Sequence, residues 1–241
     1  MTALIGSADC APARLAATRA GWHRVAEHIL AAALYRATGK IGLVPAPGGF
    51  RTPSFGPDGG FLAVDGTELV VGSAAGTRRT ALTTVRAAAE FAAITPGAPA
   101  QVYRPATPPG LDEPLMIDPQ AACLLAEWYG LGAQALSRFA AEIPGDKPGS
   151  AVLWPEHFDL GITAAAINYG ASPGDDYSTD PYLYVSPHDG PPPGDPAFWN
   201  GPFGAARTFH QIGTVAEAAA FFRDGRARVL ASAATPTRRT S

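Results

Sequence analysis

The chain has 241 residues, with 18 basic and 21 acidic side chains and a formal net charge of −3, enough for one large domain or two small ones. Its 27 glycines and 24 prolines exclude a coiled coil or plain helical bundle, and 46% hydrophobic against 16% charged residues excludes a disordered, self-repelling chain. The even charge balance gives nucleic acid no basic face, and no apolar stretch reaches the ~18–20 residues of a membrane span. Met1 to Ser7 lacks the basic start and long apolar core of a secretory signal. Cys10 and Cys123 are too few and too distant for a disulfide framework. The expectation is a soluble cytoplasmic protein with neither a nucleic-acid nor a membrane partner, its oligomeric state open.

The first predicted element is a helix from about Pro12 to Ala37. Leu15, Trp22, Val25, Ile29, Leu30 and Leu34 recur on one face, Pro12 suits the first turn and Gly39 is placed to end it. Lys40 to Val44 reads as a short strand, and Pro45 to Pro57 as turns. Phe61 to Val64 and Glu68 to Val71, joined by Asp65-Gly66, read as a hairpin. Thr80 to Ile94 reads as a second helix, and the Pro/Gly-rich segment 95–114 as a linker. Asp118-Pro119 opens a long helix to about Glu142, with Leu124, Leu125, Trp128, Leu131, Leu136 and Phe139 close together. Ala151 to Trp154, Phe158 to Tyr169 and Pro181 to Ser186 are strand candidates. Thr214 and Glu217 form a capping box for a helix ending at Gly225, Arg226 to Leu230 reads as a last strand, and 231–241 as a flexible tail.

Each half therefore runs helix, Gly/Pro-punctuated strands, helix. The fold class implied is α+β, a mainly antiparallel sheet packed against helices, with residues 1–230 as a single domain of two similarly organised halves, 1–95 and 115–230.

Chemistry concentrates between Trp154 and Gly204. The segment 171–204 is a long loop rich in Gly, Pro, Asp and aromatics, interrupted by Tyr182 to Val185, and such loops serve function when they are ordered. His157 and Asp159 alternate along a predicted strand, which places both on one face ~6.6 Å apart along it. With His188, or with Asp175 or Asp176, they would make a ligand set for a divalent metal such as zinc, which activates a bound water. The competing reading has His157 and Asp159 bonded to each other or to loop backbone. His23 and Glu27, four apart on the first helix, share a face and read as a solvated surface pair before a half-site for metal. Asp175, Asp176 and Asp189 read as turn residues before an acid–base pair. There is no Walker A, G-x-G-x-x-G or G-x-S-x-G pattern.

Several motifs resemble, in order along most of the chain, a bacterial family defined only as a domain of unknown function. They are Trp22, Gly39-Lys40-Ile41-Gly42-Leu43, Phe158-Asp159-Leu160-Gly161-Ile162-Thr163, Tyr177-Ser178 and Phe198-Trp199-Asn200-Gly201. The chain departs from that pattern at Thr179-Asp180, where the family has His-Glu, and at Gly48-Gly49-Phe50, where it has paired tryptophans. The resemblance implies one compact domain with interleaved halves, and no activity.

The functional expectation is a cleft under the 171–204 loop that binds a small polar or aromatic molecule through Trp154, Glu156, His157, Asp159, Tyr177, Tyr184 and Trp199. One alternative is a metal-dependent hydrolase or isomerase using His157, Asp159 and His188. The other is a structural or interaction protein with an exposed apolar patch.

Overall fold

The computed structural model describes residues 11–234, so the start from Met1 to Cys10 and the end of the expected tail lie outside the described residues. The architecture is α+β and duplicated. The first half comprises helix α1 (Pro12–Val25), a π-helical turn (Ala26–Ala31), helix α2 (Ala32–Thr38), strands β1 (Val44–Ala46), β2 (Gly49–Arg51), β3 (Phe61–Asp65), β4 (Glu68–Ser73) and β5 (Gly76–Ala81), and helix α3 (Val85–Ala92). The second comprises α4 (Pro119–Glu142), β6 (Val152–Trp154), β7 (Asp159–Ala164), β8 (Ile167–Ser172), β9 (Tyr182–Pro187), β10 (Ala205–Thr208) and α5 (Val215–Ala234). Each set of five strands forms an antiparallel meander in sequence order.

The two sheets meet where the halves correspond. Leu43 and Leu153 exchange both backbone hydrogen bonds, each at 2.9 Å, in an isolated antiparallel bridge. Both side chains are fully buried. The duplication extends to the helices: Trp22 donates its indole N–H to the Gly66 carbonyl just beyond β3, and Trp128 donates to the Ser172 carbonyl at the end of β8. The halves interleave, because α4 packs on β1 and β2 of the first sheet as well as on β7 and β8 of its own. Around the seam Phe50 and Phe158 pack edge to face at 5.4 Å, flanked by Trp22 and Tyr129. Each of these buried rings contributes about 1.5–3 kcal/mol by leaving water.

The caps at Asp118 and Thr214 form as the sequence indicates, Asp118 accepting from Gln120 and Ala121 N–H at 2.9 and 3.1 Å, and Thr214 from Glu217 N–H at 3.2 Å. Other elements differ. Lys40 to Leu43 is not a strand, since β1 begins at Val44, and β2 runs inside the segment read as turns. The helix expected over Thr80 to Ile94 starts only at Val85, because Thr80 and Ala81 pair with Leu69 and Glu68 and Thr84 is the N-cap. Helix α5 passes through Gly225 and the expected strand Arg226 to Leu230, so the helix reaches into the expected tail. Gly225 is needed there for close approach: a Cβ would sit 2.8 Å from both methyls of Val185 on β9. β10 carried no strand signal at all.

Phe158 to Tyr169 is not one strand. It contains the β6–β7 turn residue Phe158, which is left-handed with φ 55°, and a β7–β8 hairpin. That hairpin turns on Ala165 and Ala166, with φ 49° and 59°, a conformation that asparagine and glycine normally supply. Alanine there costs about 1 kcal/mol or more per residue. The double variant Ala165→Asn, Ala166→Gly should therefore unfold at higher denaturant by about 1–2 kcal/mol, measured by urea titration. A lower midpoint would contradict the turn assignment.

Candidate functional site

The second sheet has two unlike faces. Leu160, Ile162, Ile167, Tyr169, Leu183 and Val185 point into the core under α4 and α5. The opposite face carries Asp159, Gly161 and Thr163 on β7, Asn168 and Gly170 on β8, and Tyr182, Tyr184 and Ser186 on β9, as strand alternation requires. Gly161, Gly170 and Tyr184 lie in one row across the three strands. A Cβ on Gly170 would collide with the Tyr184 ring, and one on Gly161 would stand 3.0 Å from its hydroxyl. The two glycines let Tyr184 lie flat across β8 and donate its hydroxyl to Oδ2 of Asp159.

Helix α1 closes this face into a cleft of about 840 Å³, with Arg19 and His23 on one wall and Asp159, Tyr177, Tyr182, Tyr184 and Phe203 on the other. The four aromatics form a cluster, with Tyr177 5.4 Å from Tyr182 and 4.9 Å from Phe203. Tyr182 donates to Asp175 Oδ2 at 2.6 Å, and Oδ1 of Asp175 accepts from the Tyr177 and Ser178 N–H groups, so Asp175 shapes the loop as the sequence suggested. Burial raises both the Tyr182 and Tyr184 hydroxyls above the ordinary tyrosine value, helped by their carboxylate neighbours.

The carboxyls behind these rings are held differently. Asp159 is half-buried, but its Oδ1 is shielded from solvent and has no hydrogen-bond partner among the described residues; Oε2 of Glu156 is in the same position. Burial raises both carboxyls above their ordinary values. Arg19 spans the far end, donating to the carbonyls of Pro173 and Thr179 at 3.4 and 3.1 Å. Burial lowers its pKa against the pull of Asp175, yet a guanidinium remains charged.

His23 stacks on Phe158 at 4.9 Å and lies 2.7 Å from the Pro155 carbonyl oxygen through Nε2. That nitrogen carries the proton, since a carbonyl only accepts. Burial pushes the imidazole pKa down despite Glu27, 3.9 Å away. Glu27 is fully buried rather than solvated, because segment 95–114 folds over it. Its carboxylate accepts from Ala106 N–H, Thr107 N–H and the Thr107 hydroxyl at 2.9, 2.8 and 2.5 Å. The adjacent His28 accepts from Ala98 N–H and meets the Thr107 carbonyl, each at 3.0 Å. The π-helical turn turns these sequence neighbours inward together.

Of the residues expected to bind ligand, Glu156, His157, Asp159, Tyr177 and Tyr184 line the cleft. Trp154 lines an adjoining depression of about 650 Å³ that shares Glu156, His157, Asp159 and Tyr184. Trp199 does neither: it packs edge to face on Phe198 at 4.9 Å, in the part of the loop that lies against α5. The expected metal set is not assembled. His157 sits in the β6–β7 turn, where left-handed Phe158 breaks the strand alternation, and His188 is exposed and bonded to Asn168 at 3.1 Å. Among the described residues no three His, Cys, Asp or Glu side chains are grouped so as to hold a metal ion. Sequence reasoning did not join Arg19 and His23 to the site, since they lie more than a hundred residues away in the chain. Tyr182 was not among the expected ligand residues either, although its two-residue spacing from Tyr184 puts both on one strand face.

No protein-family model, curated protein or solved structure matches the chain. No helix among the described residues is long and apolar enough to cross a membrane.

The Asp159 carboxyl, raised by burial, keeps its proton to higher pH in the folded protein than in the unfolded chain. The folded state then binds more protons across that window, so stability falls as pH rises through it. Asp159→Asn removes the buried charge. Its melting temperature at pH 7 should exceed that of the parent by about 2–4 °C, the effect of roughly 1 kcal/mol in a chain of this size. The gain should shrink below about pH 4, where aspartate is protonated in both states. A loss of stability independent of pH would contradict this description of Asp159.

Proposed function

We propose that the protein binds a small organic molecule in the cleft between α1 and the open face of the second sheet. The observation that carries this reading is the pairing of a four-ring aromatic wall with a buried, unpartnered carboxylate oxygen on Asp159. Small-molecule sites combine apolar walls with a few convergent polar groups, and leaving such a group unsatisfied costs about 1–3 kcal/mol. The cleft's volume suits a molecule of metabolite size.

An interaction protein would carry a contiguous apolar patch. The exposed large apolar side chains among the described residues are Val102, Met116, Trp154, Tyr177 and Leu230. They come from separate segments, and Tyr177 and Trp154 belong to the cleft and its adjoining depression. That distribution favours a ligand over a protein partner.

A ligand-observed NMR screen of small polar and aromatic compounds tests the reading. Compounds that bind should lose their signal changes with Tyr177→Ala and keep them with Trp199→Ala, the two proteins melting as cooperatively as the parent. Hits that survive Tyr177→Ala, or a screen with no hits, would overturn it.

A further inference from the structure

The cleft's charge is one-sided. Glu156, Asp159, Asp175 and Asp176 line it, against the guanidinium of Arg19 and two imidazoles, exposed His157 and His23, whose pKa burial lowers. Asp175 is satisfied by the Tyr182 hydroxyl and two loop N–H groups. Arg19 is held by carbonyl oxygens and faces the Asp175-Asp176 corner, which would repel an anion arriving there. Among the described residues, the solvent-shielded acceptors left over are Oδ1 of Asp159 and Oε2 of Glu156. Asp159 is anchored by its other oxygen to Tyr184. It thus stands behind the aromatic cluster of Tyr177, Tyr182, Tyr184 and Phe203, whose ring faces are the negative ends of their quadrupoles.

Two independent features therefore ask for the same ligand chemistry. A buried carboxylate with a vacant acceptor is completed by a cationic donor, and clustered aromatic faces attract a cation that has shed water. Resting on the small-molecule reading above, we infer that the cleft selects a small organic cation, an amine or quaternary ammonium, with its charged nitrogen between Asp159 and the tyrosine faces. The duplicated fold supplies a contrast. The corresponding crevice of the first half, beside α4, is lined by Pro45, Pro47, Pro119 and Cys123; its Asp65 is already paired with Arg79 at 2.7 Å, and its Glu127 accepts from the Cys123 thiol at 3.7 Å.

Isothermal titration calorimetry on the full chain with two matched pairs tests the inference: choline against its neutral isostere 3,3-dimethyl-1-butanol, and tyramine against tyrosol. At least one ammonium should bind about tenfold or more tighter than its neutral partner, the scale of a desolvated cation–π contact joined to an ion pair. Asp159→Asn should abolish that preference. Equal binding of the two members of each pair would overturn the cation inference and leave the small-molecule reading standing. Absence of binding by both ammonium probes would overturn the inference as well, and the broader screen with Tyr177→Ala then decides the reading beneath it. The comparison between pair members is made on the parent protein, so it holds even if Asp159→Asn folds poorly.

Discussion

The two hydrogen bonds between Leu43 and Leu153 are the joint on which the structure turns. The joint connects the two meanders edge to edge. Joining them in this way lets α4 cover strands of both sheets and packs Phe50 against Phe158 at the join. The same joint brings α1, which belongs to the first half, alongside the β6–β7 turn of the second, so that His23 reaches the Pro155 carbonyl. A cleft wall from one half and a floor from the other follow directly. The segment 95–114, read from composition as a linker, is a strap pinned by buried Glu27 and His28, and it holds α1 in place behind the cleft.

The two halves share a scaffold and differ at the site. The outer face of the first sheet is closed by paired charges, Arg79 with Asp65 and Glu68, and by Arg51 over Phe61 at 4.3 Å. The matching face of the second sheet has glycines and tyrosines instead, and its aspartate meets a hydroxyl rather than a cation. Burying Asp159 in this way costs stability, a cost functional sites commonly carry while the rest of the fold offsets it.

Much of this was legible in the sequence, and the failures have physical causes. The α+β class, the two similar halves and the long helix α4 followed from apolar spacing and from the caps at Asp118 and Thr214. The β7–β8 hairpin was hidden because Ala165-Ala166 occupies a turn with none of the residues that usually mark one. Gly225 imitated a helix end while serving as a packing contact. At the site, Glu156, His157, Asp159, Tyr177 and Tyr184 were identifiable because they cluster along the chain. Trp199 was not separable from them by composition alone, and His157 joined Asp159 as a ligand pair only on the assumption of unbroken strand alternation, with His188 one of several candidates for the third place. Arg19 and His23 belong to the site through the seam between halves, a long-range contact with no local signature.

The most direct measurement is a carbon-13 NMR titration of the aspartate carboxyls, reading Asp159 alone and in saturating choline or tyramine. Asp159 should titrate above the ordinary aspartate value of about 4 in the free protein, and its midpoint should fall when the ammonium binds. A midpoint at the ordinary value, unmoved by either cation, would contradict the claim that this carboxylate is buried awaiting a charged partner.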